Sequence, residues 1–335
     1  MKRSAFLKVC SAGVLAGGLL LPVRAQEGMA YHGDPIPPEI EAAYTRGLNF
    51  LVRTQDASGG WSQGGGESGP GITGLALLAI LAHGEDPNYG PYAQTVRRAV
   101  ESLLKAQDAK TGYLGHSMYH HGFATLALAE AYGTVRNPKL GPALRKAVDL
   151  ILTSQKLNPH GGWRYSPSAS DADTTVSGAQ MVALMAARNA GIAVPDEAIK
   201  RGLEYYRSCQ EANGGIGYTS PGGGNTTRTA IATLVAALAK RKDTHLFNNA
   251  WHYLRSERSG REGSYYFYTL YYQAQALFQS DMQAWRAWND QNFQELASVQ
   301  GADGAWTGQF GASFCTSAAL LSMALNYRFL PIYER

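Results

Sequence analysis

The chain has 335 residues, with 30 lysines and arginines against 26 aspartates and glutamates, and a formal net charge of +4 at neutral pH. Four of the basic residues and none of the acidic ones fall within the first 25 positions, so the rest of the chain is electrically balanced. A balanced chain lacks the basic surface that nucleic-acid binding requires. Its 3 cysteines are too few for a disulfide framework, whereas a chain of this length can bury a large core.

Residues 1–25 have the three parts of a secretory signal peptide. A basic start is followed by an apolar run over residues 9–22 and by the small-residue cleavage site Val23-Arg24-Ala25. We therefore expect an exported protein, periplasmic or extracellular, that is cleaved near Ala25. No later stretch reaches the roughly 18 to 20 apolar residues of a membrane span. Residues 26–38 form an N-terminal linker before the first helical pattern.

One short phrase recurs through residues 39–335: a glutamine, a few turn residues, a glycine and then an aromatic or apolar residue. Its copies are QDASGGW at 55–61, QDAKTGY at 107–113, QKLNPHGGW at 155–163, QEANGGI at 210–216 and QGADGAW at 300–306, with a weaker ERSGREGSY at 257–265. A unit of about 50 residues that occurs six times is typical of a solenoid or a closed ring.

Two kinds of helical pattern flank each copy of the phrase. The pattern before it is amphipathic, as in EIEAAYTRGLNFLVRTQ at 39–55, and predicts a helix with one wet face. The pattern after it is almost free of charge, as in ITGLALLAILA at 72–82, and predicts a helix that is covered on all sides. Twelve helices that alternate in this way predict an all-α fold, an (α/α)6 toroid with an outer and an inner ring.

The recurring phrase predicts a structural link between neighbouring hairpins. Its glycines supply the positive φ that ends one helix and reverses the chain, and its aromatic residue buries a large apolar area. Its glutamine can bind backbone groups that are left unpaired at helix ends. We therefore assign no chemistry to the phrase itself.

The glutamine, turn, glycine and aromatic pattern resembles the QW repeats of squalene-hopene and oxidosqualene cyclases, and the toroid is similar to the β subunits of protein prenyltransferases. The resemblance covers residues 39–335. It implies a terpenoid cyclase-like toroid with a central cavity. The stretch MYHHGFATLALAEAYG at 118–133 and the stretch YRFLPIYER at 327–335 also resemble exported bacterial toroid proteins. Because one fold hosts many functions, the site has to be argued separately.

The resemblance to squalene-hopene cyclases implies a catalytic role for Asp171 and Asp173. In those enzymes an Asp-x-Asp-Asp motif begins an inner helix, and its central aspartate protonates the polyene. Here the sequence Asp171-Ala172-Asp173-Thr174 keeps two of the aspartates, and Asp173 would be the general acid. The alternative is that one of these aspartates caps the helix that follows.

The resemblance to prenyltransferases implies a zinc site, but its Asp-x-Cys pair is replaced here by Asp171-x-Asp173. A different metal site could combine His120, His121, Asp173 and Cys315, but no ligand spacing supports it. We therefore expect no metal and no cofactor.

The starts of the inner helices are polar as a group, which indicates a ligand site at one mouth of the ring. The candidate ligand-binding residues are His120, His121, Thr174 and Arg228. Polar groups that converge at a cavity mouth suggest a ligand with hydroxyls or a negative charge, although helix capping also explains the threonines. A cation at a helix start opposes the helix dipole, so we expect Arg228 to pair with Asp171 or Asp173.

Tyrosines at helical spacing extend this candidate site into the fifth hairpin. Tyr268, Tyr271 and Tyr272 can line the cavity or pack in the core. Aromatic walls suit carbocations through cation–π attraction, whereas several hydroxyls suit a more polar ligand.

Three functions are open at this point. The first is a monomeric protein that binds a small molecule, lipid or glycan in the central cavity. The second is a terpene cyclase that uses Asp173 as general acid. The third is carbohydrate processing, which needs paired carboxylates across a cleft, and no second partner for the adjacent pair Asp171 and Asp173 is evident.

Overall fold

The computed structural model describes residues 35–62, 69–256 and 265–334. The predicted signal peptide, most of the predicted linker and nearly all of the weaker repeat copy lie outside these residues. From Ile36 onward the chain forms one compact unit. The helices are α1 Pro38–Thr54, α2 Pro70–Leu81, α3 Ala93–Ala106, α4 Met118–Ala131, α5 Leu140–Leu157, α6 Thr174–Asn189, α7 Asp196–Ser208, α8 Thr226–Leu238, α9 His245–Ser256, α10 Tyr266–Ser280, α11 Met282–Val299 and α12 Gly311–Met323.

The even-numbered helices form a closed inner ring and the odd-numbered helices surround it. Each inner helix packs on the inner helix of the next hairpin, and α12 packs back on α2. Each outer helix after α1 packs on the inner helix that precedes it in the chain, and α1 packs on α12. The described residues contain no strand. The predicted all-α toroid is confirmed.

The two helix patterns in the sequence explain which helix lies inside. In α2 every residue except Ile72 is buried, as expected for a helix that is apolar all round. In α3 the buried residues recur at helical spacing, from Val96 and Ala99 to Leu103, while Arg97 and Glu101 are exposed. The inner ring is therefore covered by the outer ring.

Five glutamines clamp neighbouring hairpins together. In each case the side-chain Nε2 donates to a carbonyl of its own turn and to a carbonyl of the next outer helix. Gln155, for example, binds Gly161 O at 2.8 Å and Ala198 O at 2.9 Å. Gln300 binds Gly304 O at 2.9 Å and Ala43 O at 3.0 Å, which joins the last hairpin to the first helix. The other three clamps are at Gln55, Gln107 and Gln210.

The turn tryptophans complete these junctions. Trp61, Trp163 and Trp306 are fully buried, and each indole N–H donates at 2.9 Å to a carbonyl of the preceding outer helix. A buried indole needs such a partner. The phrase therefore acts structurally, as the sequence predicts.

The C-terminal segment packs against the C-terminal ends of inner helices. Ile332 and Tyr333 are buried, and Gln279 Nε2 donates to the Glu334 carbonyl at 3.2 Å. The Ile332 N–H points at Glu130 Oε2 at 3.4 Å.

None of the helices in the described ranges is long and apolar enough to cross a membrane.

Candidate functional site

A cavity of about 650 Å³ lies inside the ring at the N-terminal ends of the inner helices. It extends from the first turns of these helices to residues about two turns along them. Its lining is Gly71, Ile72, Leu75, Ser117, Tyr119, His120, Phe123, Tyr165, Thr175, Tyr218, Asn225, Thr227, Arg228, Tyr265, Tyr268, Phe310 and Phe314. Aromatic rings supply most of the wall.

The wall changes character with depth. At the outer edge the side chains are open to solvent, with Tyr265 59% exposed and Tyr165 45% exposed. Deeper in the ring, Tyr268 is 8% and Phe123 6% exposed. The cavity thus has an exposed rim and a buried, mainly apolar floor.

Most polar groups of the wall belong to helix starts. Ser117 caps α4 by accepting from the His120 N–H at 3.4 Å, and Asn225 caps α8 by accepting from the Arg228 N–H at 3.0 Å. Thr227 shares a 2.5 Å hydrogen bond with Thr269 of the next inner helix. Capping explains Ser117 and Asn225, whereas the sequence analysis offered it as an explanation for the threonines.

Asp173 occupies the capping position of α6. Its Oδ1 accepts from the Thr175 and Val176 N–H groups at 2.9 and 2.8 Å and from the Thr175 hydroxyl at 2.6 Å, and its Oδ2 accepts from Arg164 at 3.1 Å. The side chain has no exposed surface and is not among the residues that line the cavity. A general acid must donate a proton to its substrate, whereas this carboxyl accepts on both oxygens.

Arg164 is the partner of both aspartates, and the sequence analysis missed it. Its Nε lies 3.3 Å from Asp171 Oδ2 and its Nη1 lies 3.1 Å from Asp173 Oδ2. The guanidinium also lies over the rings of Tyr165 and Tyr218, at 4.8 and 5.1 Å from their centroids. The two hydroxyls of these tyrosines are 2.6 Å apart. Tyr165 and Tyr218 line the cavity, whereas Arg164 does not.

Arg228 lines the cavity but pairs with neither aspartate, so that expectation is wrong. Its Nε donates to Ile216 O at 3.1 Å, and its Nη2 donates to the Gly223 carbonyl. Burial lowers the pKa of Arg228, and the nearby Glu211 works in the opposite direction. The guanidinium therefore binds the segment that precedes α8 through two neutral carbonyls.

The two adjacent histidines have different roles. His121 is fully buried between the rings: its Nδ1 accepts from the Leu114 N–H at 3.1 Å, and its Nε2 lies 3.0 Å from Ala147 O. Burial lowers the pKa of His121 to about 4. The structure therefore places His121 outside the cavity, where the neutral ring connects the turn to the outer helix α5. In the first hairpin Thr73 has the corresponding role, because its hydroxyl accepts from the Trp61 N–H.

His120, by contrast, contributes to the cavity wall. Burial, assisted by His116, lowers its pKa, so the ring is neutral at neutral pH. Its Nδ1 is buried and has no hydrogen-bond partner among the described residues.

Of the remaining predicted ligand-binding residues, one lines the cavity and three are buried outside it. Tyr268 lines the cavity, whereas Tyr271 and Tyr272 are buried in the packing behind it, with ring centroids 4.7 Å apart. Thr174 is buried, and its hydroxyl donates to Gly217 O at 2.9 Å, which ties α6 to the next turn. Thr175, one residue later, faces the cavity instead.

The described residues contain no cluster of three or more side chains that could hold a metal ion. In particular, His121, Asp173 and Cys315 are buried in three different helix junctions, so the structure does not join them with His120 into one site. No Asp or Glu is among the described residues of the cavity wall.

Solved structures of similar shape include three kinds of enzyme. The apo type II terpene cyclase MstE from Scytonema is 18% identical, with a TM-score of 0.60 over 88% of this chain and 100% of the other. An inactive α-1,6-mannanase variant from Salegentibacter sp. HEL1_6 with α-1,6-mannotriose is 10% identical, with a TM-score of 0.65 over 86% and 99%. A D-mannose isomerase is 14% identical, with a TM-score of 0.65 over 89% and 100%.

At these identities the likeness establishes the fold, an α/α toroid, and not the reaction. No protein-family model matches the chain, and no curated protein matches it in sequence.

Proposed function

We propose that the protein is an exported, monomeric toroid that binds a small organic ligand in its central cavity. The observation that carries this proposal is a wall that changes from an exposed rim to a buried aromatic floor. The volume of about 650 Å³ lies within the usual range of small-molecule sites, roughly 300 to 1,000 Å³.

Solved toroids of similar shape bind organic ligands, which supports a ligand-binding role here. A variant of MstE has been solved with its substrate geranylgeranyl dihydroxybenzoate, at 17% identity and a TM-score of 0.62. The mannanase variant binds α-1,6-mannotriose. The ligands differ in chemistry, so the identity of the ligand here depends on the residues of this chain.

A terpene cyclase with Asp173 as general acid is the second candidate. The aromatic wall favours it, because rings such as those of Phe123 and Tyr268 would stabilise a carbocation. The position of Asp173 argues against it, because the carboxyl is engaged as a helix cap beside Arg164. Glycoside hydrolysis has less support, because no carboxylate pair faces the cavity within the described residues.

Native mass spectrometry of the protein purified from its exported compartment tests the proposal. Intact mass after cleavage near Ala25 tests export, and the charge-state series tests the monomer. An added mass that is retained under gentle conditions would be the cavity ligand. Ile72→Trp places a large side chain on the cavity wall and should expel this mass, whereas Val52→Trp, on the exposed face of α1, should keep it.

Asp173→Asn separates the two candidates. A cyclase would accumulate an unreacted prenyl substrate in this variant, whereas a binding protein would carry the same ligand as the wild type. Equal ligand occupancy in the Ile72→Trp and Val52→Trp variants would refute binding in the cavity.

A further inference from the structure

The cavity wall carries one unbalanced positive charge. Among its described residues Arg228 is the only side chain with a full charge at neutral pH, because His120 is neutral and no carboxylate is present. No ion pair involves Arg228 within the described ranges, and the two groups that it binds are neutral carbonyls. A partly buried charge that makes no ion pair costs free energy that an anionic ligand would offset.

The helix at this position adds to the positive potential. Arg228 lies in the first turn of α8, whose N-terminal end carries the positive end of the helix dipole. An arginine is unfavourable there unless an anion is nearby, and Asp171 and Asp173 are already held by Arg164. The Glu211 carboxylate, the acid with the largest influence on Arg228, accepts from the Gly224 N–H instead.

Tyr268 contributes its ring, and not its hydroxyl, to the cavity wall. Tyr268 is 8% exposed, and its hydroxyl has no partner with hydrogen-bond geometry among the described residues. Burial raises its pKa, and the hydroxyls of Tyr119 and Tyr272 are close enough to contribute, so the group stays protonated. Because the hydroxyl itself is buried, Tyr268 offers a ligand its aromatic ring.

Four other residues of the wall are apolar. Leu75, Phe123, Phe310 and Phe314 offer hydrocarbon and ring surface and no hydrogen-bonding side chain. A sugar would leave its hydroxyls unpaired against this surface, and a cation would be repelled by Arg228.

We propose that the ligand is an anionic amphiphile. Its carboxylate or phosphate end lies beside Arg228 at the first turn of α8, and its uncharged body lies along Phe123, Phe314 and Tyr268 in the floor of the cavity. This inference rests on the proposed function, because it assigns the ligand of the same cavity. A carboxylate and a phosphate share the chemistry that Arg228 recognises, namely oxygens that accept charge-assisted hydrogen bonds.

Four probes with one chain length and different ends test the inference: dodecanoate, dodecyl phosphate, dodecanol and dodecylamine. Each is titrated into the ligand-stripped mature protein by calorimetry, below its critical micelle concentration. One of the anions should bind about tenfold to a hundredfold more tightly than dodecanol, which is the usual contribution of a charge-assisted hydrogen bond. Dodecylamine should bind most weakly. The better of the two anions identifies the end group.

Variants of Arg228 assign the effect to this residue. Arg228→Gln should remove the preference for the anion while leaving dodecanol binding unchanged, and Arg228→Lys should keep part of the preference. Arg207→Gln, on the exposed face of α7, is the matched control and should change nothing. If Arg228→Gln fails to fold, the salt dependence of wild-type binding replaces it, because only an ionic contact weakens as salt rises.

The outcomes separate this inference from the proposed function. Equal affinity for dodecanol and both anions would refute the anionic amphiphile and leave the binding cavity intact. Failure of all four probes to bind, together with an unliganded protein from the exported compartment, would refute both.

Discussion

Ionisation of Glu130 should destabilise the folded protein as the pH rises. The residue is the second last of α4, is 3% exposed and accepts from the Ile332 N–H of the C-terminal segment at 3.4 Å. Burial, with a contribution from Glu334, raises the pKa of Glu130 from its ordinary value of 4.5 to about 8. The folded state therefore keeps the carboxyl protonated at neutral pH.

The sign and size of the effect follow from linkage. Because the folded state holds the proton more tightly than the unfolded chain, the contribution of Glu130 to stability is full below pH 4.5 and is lost as the pH rises through about 8. At about 1.4 kcal/mol per pKa unit, the shift corresponds to a loss of roughly 5 kcal/mol when ionisation is complete. Most of that loss, about 3.5 kcal/mol, should fall between pH 5 and pH 8.

Urea unfolding of the wild type and of Glu130→Gln at several pH values measures this loss. Glutamine keeps an acceptor for the Ile332 N–H and cannot ionise, so the variant should become the more stable protein as the pH approaches 8. Glu101→Gln, an exposed residue of α3, is the matched control and should follow the wild type. A constant difference between the wild type and Glu130→Gln from pH 5 to pH 8 would refute the reasoning.

Three further changes test the junctions of the ring, each by urea or thermal unfolding. Gln155→Ala leaves two carbonyls without their donor and should cost about 1 to 3 kcal/mol, whereas Gln94→Ala on the exposed face of α3 should cost little. His121 has its pKa lowered to about 4 from 6.5, so its contribution should be lost as the pH falls from 6.5 through 4, and the variant His121→Gln should abolish that dependence. Asp173→Ala should cost about 1 kcal/mol or more, and Asp173→Asn, which can still cap α6, should cost less; equal losses would count against the capping role.

The fold could be predicted from the sequence because the same turn phrase and the same pair of helix patterns recur in successive hairpins. Each copy of the phrase marks a hairpin, and the contrast between amphipathic and apolar helices separates the outer ring from the inner ring. The clamp formed by Gln155 needs only the phrase and the next outer helix, so it too follows from the sequence. The capping role of Asp173 was one of two alternatives, and the local contacts of α6 decide between them.

The site was harder to predict because it depends on loops and on helix rotation. Arg164 reaches both aspartates only because the segment after Trp163 folds back on itself, as the hydrogen bond from the Asp173 N–H to Trp163 O at 3.0 Å shows. Helical or strand periodicity in the sequence does not predict this fold-back. The one sequence signal for Arg164 is its place directly after the turn tryptophan Trp163.

Adjacent histidines posed a similar problem. Neighbouring residues on a helix point about 100° apart, so His120 and His121 cannot both face the cavity. The repeat could have identified His121, because it binds the turn backbone of its hairpin as Thr73 and Thr316 do in theirs. The separation between donor and acceptor is 7 residues for His121 but 12 for Thr73 and 10 for Thr316, and these unequal loops hide the correspondence.

The clamp between Gln300 and Ala43 leaves this repeat protein without a terminal repeat. In an open array, deleting an end unit exposes one interface, and the remaining units keep their nearest neighbours. In a closed ring, deleting any hairpin exposes two interfaces and opens the ligand cavity as well. Shortened versions of this chain should therefore lose their structure as a whole, and the number of hairpins cannot be varied one at a time as it can in a solenoid.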